Sequence, residues 1–272
     1  MPNRPNTAVA KFSPNRQPTR DAITQNLLLA SLPAADLTHL SRKLELVALQ
    51  RGELLHSPER ELQYAYFPTS GIASLQYTCQ SGETAEVASV GREGVIGFAL
   101  FLGVTNTVTS ALVQSEGHAL RLHSRHIREE MARSSAVREV PLHYAPLLLA
   151  QIAQTSVCNR HHRVEQQVCR WLLSMLDRVP STTLQATHEL IAAALGVRRE
   201  GVTEVAGMLQ RAGVIRYQRG QVEVLNRAGL EARACECYGV VRRAALAQQT
   251  EHPPITTTTT SSAAVRMARH AC

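Results

Sequence analysis

Long apolar runs are missing from this chain. No stretch of its 272 residues approaches the roughly 20 uninterrupted apolar residues of a membrane-spanning helix, although apolar types make up 44% of the composition. An integral membrane protein is therefore not expected. An apolar leader core is missing as well. The first twenty residues hold Arg4, Lys11, Arg16 and Arg20 among Pro and Asn, so they read as a flexible basic arm rather than a signal peptide, and a cytoplasmic location is expected. Cysteine is sparse: Cys79, Cys158, Cys169, Cys235, Cys237 and Cys272 are too few and too irregular for a disulfide scaffold, and reduced thiols are expected. Lysine is nearly absent, with only Lys11 and Lys43, so Arg carries the positive charge.

That charge is localised. The net is +7, but residues 21–156 carry −3, whereas residues 157–243 carry +5 from thirteen Arg against eight acids. An acidic first part joined to a basic second part suggests a regulatory or interaction domain followed by a domain that meets a polyanion, most simply nucleic acid. The plainer reading is a basicity set by a chain-wide Arg preference.

The hydrophobic period changes along the chain. In residues 22–46, Leu27, Leu28, Leu32, Leu37, Leu40 and Leu44 fall at helical spacings, and Pro33 divides them into two short helices. Short strand-like runs follow at 44–49, 64–67, 72–78, 84–90, 107–113 and 118–123. Turn signals such as Arg51-Gly52, Pro68-Thr69-Ser70-Gly71 and Ser81-Gly82 separate them, which predicts a small barrel or sandwich. Helical signals return with Ser124 capping residues 125–133. A long stretch then runs over 140–178, with Pro141 and Pro146 near its start. The polar run Asn159-Arg160-His161-His162-Arg163 interrupts the apolar face of that stretch and marks a joint between two helices. Beyond Leu246, Pro253-Pro254 and a Thr/Ser run form a low-complexity tail.

The most informative segment lies at 187–209. Thr187 can cap a helix burying Leu190, Ile191 and Leu195; Gly196 can take the positive φ that ends it; Val202, Val205 and Leu209 repeat on a second helix. A strand from 214, a turn at Gln218-Arg219-Gly220-Gln221 and a returning strand at 222–225 complete a winged helix-turn-helix pattern. An α-helix fits the major groove of DNA, and Arg198, Arg199, Glu200 and Thr203 sit at the start and solvent side of the second helix, where side chains reach bases and phosphates. Arg219 at the wing tip can meet the backbone.

The order of elements, together with Tyr66-Phe67-Pro68-Thr69-Ser70-Gly71, Val90-Gly91-Arg92-Glu93-Gly94-Val95-Ile96-Gly97 and residues 195–202, resembles the Crp/Fnr superfamily of bacterial transcription regulators. The resemblance covers about residues 22–243. It implies an α+β fold: a cyclic-nucleotide-binding-like β-roll at 22–140, a dimerisation helix and hinge at 141–162 and a winged helix-turn-helix at 163–243, flanked by the arm at 1–21 and the disordered tail at 244–272 that composition already marks. It also implies a homodimer on a two-fold site in double-stranded DNA, with RNA polymerase as a further partner of an activator. The family's Arg-Glu pair falls on Arg199 and Glu200, implying a guanine contact and a cytosine-side contact. Gly201 stands where relatives place Ser or Thr, and Glu204 where the cyclic-AMP-responsive members have a base, so the operator is expected to differ.

The effector positions also depart from the family. Cyclic-nucleotide binders hold the ribose with a Gly-Glu pair and the phosphate with an Arg-Ser pair; the matching positions are Gly97-Phe98 and Thr109-Ser110. Both charged groups are absent, so cyclic AMP is not expected unless Arg92 or Arg121 substitutes, and the small-molecule effector stays unidentified. No cysteine precedes Cys79, which removes the N-terminal iron-sulfur cluster of another branch, and no cofactor is expected.

Single residues allow other readings. His118, His123 and His126 lie close in sequence, but on a strand followed by a helix they read as solvated surface rather than a metal site. Cys158 with His161 and His162, or Cys235 with Cys237, suggests a thiol or metal switch; because a Cys-x-Cys pair lacks its second pair, no metal is assigned. The wing's Arg216 and Tyr217 also read as cover for the core edge. The expectation is a regulator that catalyses nothing. Its rivals are a ligand- or redox-sensing protein with a repurposed helix-turn-helix, and a metal-dependent enzyme.

Overall fold

The computed structural model describes residues 18–251. The proposed arm at 1–21 lies almost wholly outside them. The described chain opens with three short helices, α1 (Arg20–Thr24), α2 (Leu27–Ala30) and α3 (Ala34–Ser41), rather than two. The extra break comes from Asn26, which is fully buried and satisfied on both sides of its amide. Its Oδ1 accepts from the N–H groups of Leu28 and Leu29 (3.2 Å each), and its Nδ2 donates to the carbonyls of Pro68 and Gly94 (3.0 Å each).

Seven strands follow: β1 (Glu45–Leu49), β2 (Leu54–His56), β3 (Tyr64–Pro68), β4 (Ile72–Thr78), β5 (Thr84–Val90), β6 (Ser110–Ser115) and β7 (Gly117–His123). They form two antiparallel sheets in the orders β1-β7-β3 and β2-β6-β4-β5. Alternation along the strands turns Ala65, Phe67, Leu120, Leu122, Ala111 and Val113 into one core. The run expected from 107 begins only at Ser110, because the Thr107 and Thr109 hydroxyls bond each other (3.0 Å) and the Thr109 N–H donates to Thr107 Oγ1, a local turn that competes with the ladder.

Helix α4 (Ser124–Arg133) is capped by His123, whose Nδ1 accepts from the Arg125 N–H (3.2 Å), and not by Ser124. The long helix α5 (Ser135–His161) starts five residues before the expected 140 and keeps Pro141 and Pro146 inside it. Ser134 supplies the start, since its hydroxyl accepts from the Val137 N–H, and Val137, Val140, Tyr144, Leu147 and Leu148 then bury against the roll. That packing outweighs the backbone bonds the two prolines remove. The break at the polar run is real: α6 (Val164–Leu176) follows, with Gln166 Oε1 accepting from the Arg163 N–H.

The remaining elements are β8 (Thr183–Gln185), α7 (His188–Leu195), α8 (Arg199–Arg211), β9 (Ile215–Gln218), β10 (Gln221–Val224), α9 (Arg227–Glu231) and α10 (Glu236–Glu251). They surround a second core that includes Trp171, Leu172, Ile191, Leu195, Val202, Leu209 and Val222. The tail expected from 244 is corrected over its first residues, because α10 continues to Glu251. Ala244 and Ala245 pack against the roll core, and Gln248 Nε2 donates to the Glu93 carbonyl (3.1 Å). The rest of that tail lies outside the described residues.

The two cores meet where Ile72 of β4 enters the second core, where α7 packs on β5, and through a loop of the roll. Glu93 Oε1 pairs with Arg178 Nε (2.7 Å), each side chain 9% exposed, and Arg178 also donates to the Ser174 and Ser89 carbonyls and to Gln151 Oε1. Beside this pair, Gly94 has no room for a side chain: a Cβ would sit 2.6 Å from the Tyr144 ring.

The short strand β2 carries His56, which burial pushes down to about 4 against a smaller opposing contribution from the Thr109 backbone. Because the unfolded state then binds the extra proton, this histidine contributes stability that is complete above about pH 6.5 and is lost as the pH falls toward 4. The expected loss between pH 7 and pH 5 is about 2 kcal/mol. Denaturant unfolding at stepped pH checks it: His56→Gln should show a flatter profile than the parent, and equal slopes would contradict the assignment.

Candidate nucleic-acid interface

The second core presents one helix to solvent. Thr187 Oγ1 accepts from the Leu190 N–H (3.1 Å) to start α7, and Gly196, at φ +65°, ends it with its N–H on the Ala192 carbonyl. The buried face of α7 is Ile191, Ala192, Ala194 and Leu195; Leu190, expected there, is only half-buried, and Ala193 faces solvent. Arg198, in extended backbone, leads into α8, which buries Val202, Val205, Ala206 and Leu209.

The opposite face of α8 is open. Arg198, Arg199, Glu200, Thr203 and Glu204 are all exposed. Residues 199 and 203 form one row along the helix and 200 and 204 the next, as a four-residue spacing requires. Among the described residues, no ion pair or hydrogen bond occupies the guanidinium groups of Arg198, Arg199 or Arg219. Gly201 is not forced by crowding, because a Cβ there would meet only Val164 at 3.9 Å.

Thr203 is less free than its position suggests. Its hydroxyl donates to the Arg199 carbonyl (3.0 Å) and lies 3.0 Å from His188 Nδ1. The His188 ring stacks on Tyr217 with centroids 4.1 Å apart, and burial and the Arg199 charge lower its pKa. His188 therefore joins the first turn of α7 to α8 on one side and to the wing on the other. Sequence reasoning passed over it because a residue just inside a helix N-terminus carries no periodic signal.

The wing has three strands, in the order β8-β10-β9; β8, three residues long, was not anticipated. Its tip is a two-residue turn in which both Arg219 (φ +50°) and Gly220 (φ +77°) have positive φ. Glycine suits that geometry; arginine pays about 1–2 kcal/mol for it. The tip abuts α7, since a Cβ on Gly220 would lie 3.1 Å from Thr187 Cγ2 and the Gly220 carbonyl accepts from the Ala186 N–H. Arg216 is taken by Glu223 across the hairpin (2.7 Å), and the Tyr217 N–H donates to Gln210 Oε1 (2.8 Å).

The expected effector positions are polar only weakly. Gly97 (φ +81°) begins a short 3-10 turn, Phe98–Leu102, and Phe98 lies edge-on to Tyr144, 5.9 Å between centroids. The Thr109 hydroxyl is held by Thr107, and Ser110 opens β6. Arg121 pairs with Glu45 (2.6 Å) and lies over the Tyr64 ring, while Arg92 is exposed.

One group of residues departs from expectation. The fold gives the Cys-x-Cys pair the partners it lacked in sequence: Cys158, His162, Cys235 and Cys237 converge, whereas His161 stays exposed. Hydrogen bonding from Cys158 holds Cys235 down to about 5 and pushes Cys158 up, and burial raises Cys237 to about 11. His123 and His126 lie side by side, centroids 6.4 Å apart, with His126 on Glu129 (2.9 Å).

Comparisons with known proteins bear on both halves of the chain. Residues 166–233 match the Crp-like helix-turn-helix domain family. Transcriptional regulator SdrP of Thermus thermophilus is 31% identical over 147 residues, covering 46% of this chain and 73% of that protein. FixK2 of Bradyrhizobium japonicum superposes with a TM-score of 0.62 at 14% identity, over 71% of this chain and 98% of that one. A crp/fnr-family regulator of Eubacterium rectale also gives 0.62, at 16% identity over 77% and 98%. These two structures show the fold, in which roll, long helix and winged helix-turn-helix follow in the same order. The relationship to SdrP, together with the match to the Crp-like helix-turn-helix family, establishes that the chain belongs to the Crp/Fnr superfamily of transcription regulators.

Proposed function

We propose that the protein binds double-stranded DNA as a homodimer at a two-fold operator, with α8 in the major groove and the wing tip on the phosphate backbone. The observation that carries this reading is the exposed start of α8, where unpaired Arg198 and Arg199 stand beside Glu200. Arg199 is assigned to guanine and Glu200 to the cytosine side of the pair, a division that the resemblance implies and bidentate guanidinium geometry favours. Thr187, Thr203 and Glu204 border this face, and Arg219 supplies the wing contact. That an arginine stands at positive φ, where glycine or asparagine costs less, supports a role for its charge rather than for the turn.

Dimerisation is assigned to α5. Leu142, Leu149, Ile152 and Val157 are exposed on it by 64%, 65%, 39% and 45%, and the spacing of seven and then three residues over the first three fits a helix-on-helix seam. Cyclic AMP is not the effector in this reading, because Phe98 stands where the ribose carboxylate is needed and Arg121 is committed to Glu45. The roll then answers to another small molecule or to none. No helix among the described residues is long and apolar enough to cross a membrane. An activating role would add RNA polymerase as a partner.

Selection of genomic fragments on the purified protein at two salt concentrations tests the reading. A two-fold motif whose binding weakens with salt is expected, and recovery of unrelated fragments would contradict it. On the selected operator, Arg199→Ala should cost about 1–3 kcal/mol and relax specificity at one position per half-site. Arg219→Asn should weaken all sequences alike, lower the salt slope by about 1 per protomer and raise thermal stability. Sequence-selective loss from Arg219→Asn would contradict the backbone assignment. In light scattering the parent should be a dimer and Leu149→Glu a monomer; a monomeric parent would remove the seam.

A further inference from the structure

Cys158 and Cys235 stand 77 residues apart in the chain, yet their sulfurs are 3.5 Å apart in the fold. Cys158 lies in the last turn of α5, and His162 follows the end of that helix. Cys235 immediately precedes α10, and Cys237 lies in its first turn. The three sulfurs and the imidazole nitrogen are all within 4.8 Å of one another, with Cys237 Sγ 3.6 Å from His162 Nδ1. A tetrahedral ion with metal–sulfur bonds of about 2.3 Å and a metal–nitrogen bond of about 2.05 Å sets its sulfurs about 3.8 Å apart and sulfur to nitrogen about 3.6 Å apart. Two of the six separations, 3.5 and 3.6 Å, already lie near the edges of that tetrahedron, and none of the others exceeds 4.8 Å.

The surroundings fit an ion as well. The three cysteines are buried, and they form a small cluster of their own outside both apolar cores. His162 Nε2 lies 3.2 Å from Glu236 Oε1, an arrangement that keeps the ring proton on Nε2 and leaves the Nδ1 lone pair facing the sulfurs. Three thiolates and a dication leave one negative charge. The buried guanidinium of Arg170 lies within electrostatic reach of Cys158, and its Nε has no hydrogen-bond partner among the described residues.

We propose that Cys158, His162, Cys235 and Cys237 form a closed tetrahedral site for zinc(II), which staples the start of α10 to the end of α5. Four protein ligands leave no open position, so the ion is structural and not catalytic. An iron-sulfur cluster spreads its ligands over separate irons and needs a wider cage than these atoms leave. The ion sits at the joint between α5 and α6, where Gln167 Nε2 already bonds the carbonyls of Cys158 (3.3 Å) and His162 (2.8 Å). Any effect of the ion on operator affinity rests on the DNA-binding reading above; its presence does not.

The test uses the full chain, purified under reducing conditions without chelator. Elemental analysis should find one equivalent of zinc per chain. After removal of zinc, anaerobic cobalt(II) titration should give visible ligand-field bands and a thiolate-to-cobalt charge-transfer band, both saturating at one equivalent. Cys237→Ser should reduce the charge-transfer band, and the exposed substitution Glu236→Gln should weaken cobalt binding by about tenfold or more while the protein stays folded. Cys79→Ser should change neither. Failure to take up cobalt, bands unaltered by Cys237→Ser, iron with acid-labile sulfide, or metal-free protein holding a Cys158–Cys235 disulfide would each overturn the proposal.

Discussion

The buried ion pair between Glu93 and Arg178 is the constraint on which the rest of the structure depends. Glu93 belongs to a loop of the β-roll and Arg178 follows α6, so one 2.7 Å contact joins the β-roll to the helix-turn-helix half. Taking both charges out of water is costly, and the site repays it by satisfying them. Arg178 reaches carbonyls of α6 and β5 and the Gln151 side chain of α5, while Glu93 accepts from the Gly91 N–H. Such a pair adds little net stability compared with a well-packed apolar alternative, but removal of one partner costs about 3–5 kcal/mol. Its effect is to select one arrangement of four segments. Gly94 against Tyr144 and Gln248 against the Glu93 carbonyl hold the same loop from two further sides.

From that constraint follows the direction in which α8 points. The helix is held at its back by the second core, through Val202, Val205 and Leu209, and at its flank by His188, which bridges Thr203 and Tyr217. Its front carries unpaired charge. The loop that carries Glu93, residues 90–97, is thus the part of the roll that Arg178 grips from the helix-turn-helix half. Further connections between the halves are the packing of α7 on β5, the insertion of Ile72 of β4 into the second core, and the α5–α6 joint, where α10 returns to lie along α5 and Cys158, His162, Cys235 and Cys237 meet.

Much of the helix-turn-helix was legible in the sequence because its signals are local. Thr187 marks a helix start, Gly196 a left-handed end, and Arg219-Gly220 a hairpin, and each acts within a few residues of itself. Strands β4 and β5 were legible for the same reason, from alternation bounded by turns. Strand β2 was not, since three residues carry no period. The start of α5 was hidden by Pro141 and Pro146, which read as a helix beginning but are tolerated inside because Tyr144 and its neighbours bury against the roll. The end of α10 was hidden by the polar tail beyond it. Glu93 with Arg178, and Cys158 with Cys235, are pairings across long stretches of chain, and neither periodicity nor turn chemistry reports which distant residues meet. The resemblance to a family supplied the order of domains but not these contacts.

A double-mutant cycle across Glu93 and Arg178, read by denaturant unfolding, tests the central claim that this pair sets the relation between the halves. Glu93→Leu and Arg178→Met should each destabilise by about 3 kcal/mol or more, because each leaves a buried charge alone. The double variant should recover part of that loss, with a coupling of at least about 1.5 kcal/mol. Single effects that add to within about 0.5 kcal/mol would show that the two residues act independently, and would contradict the account.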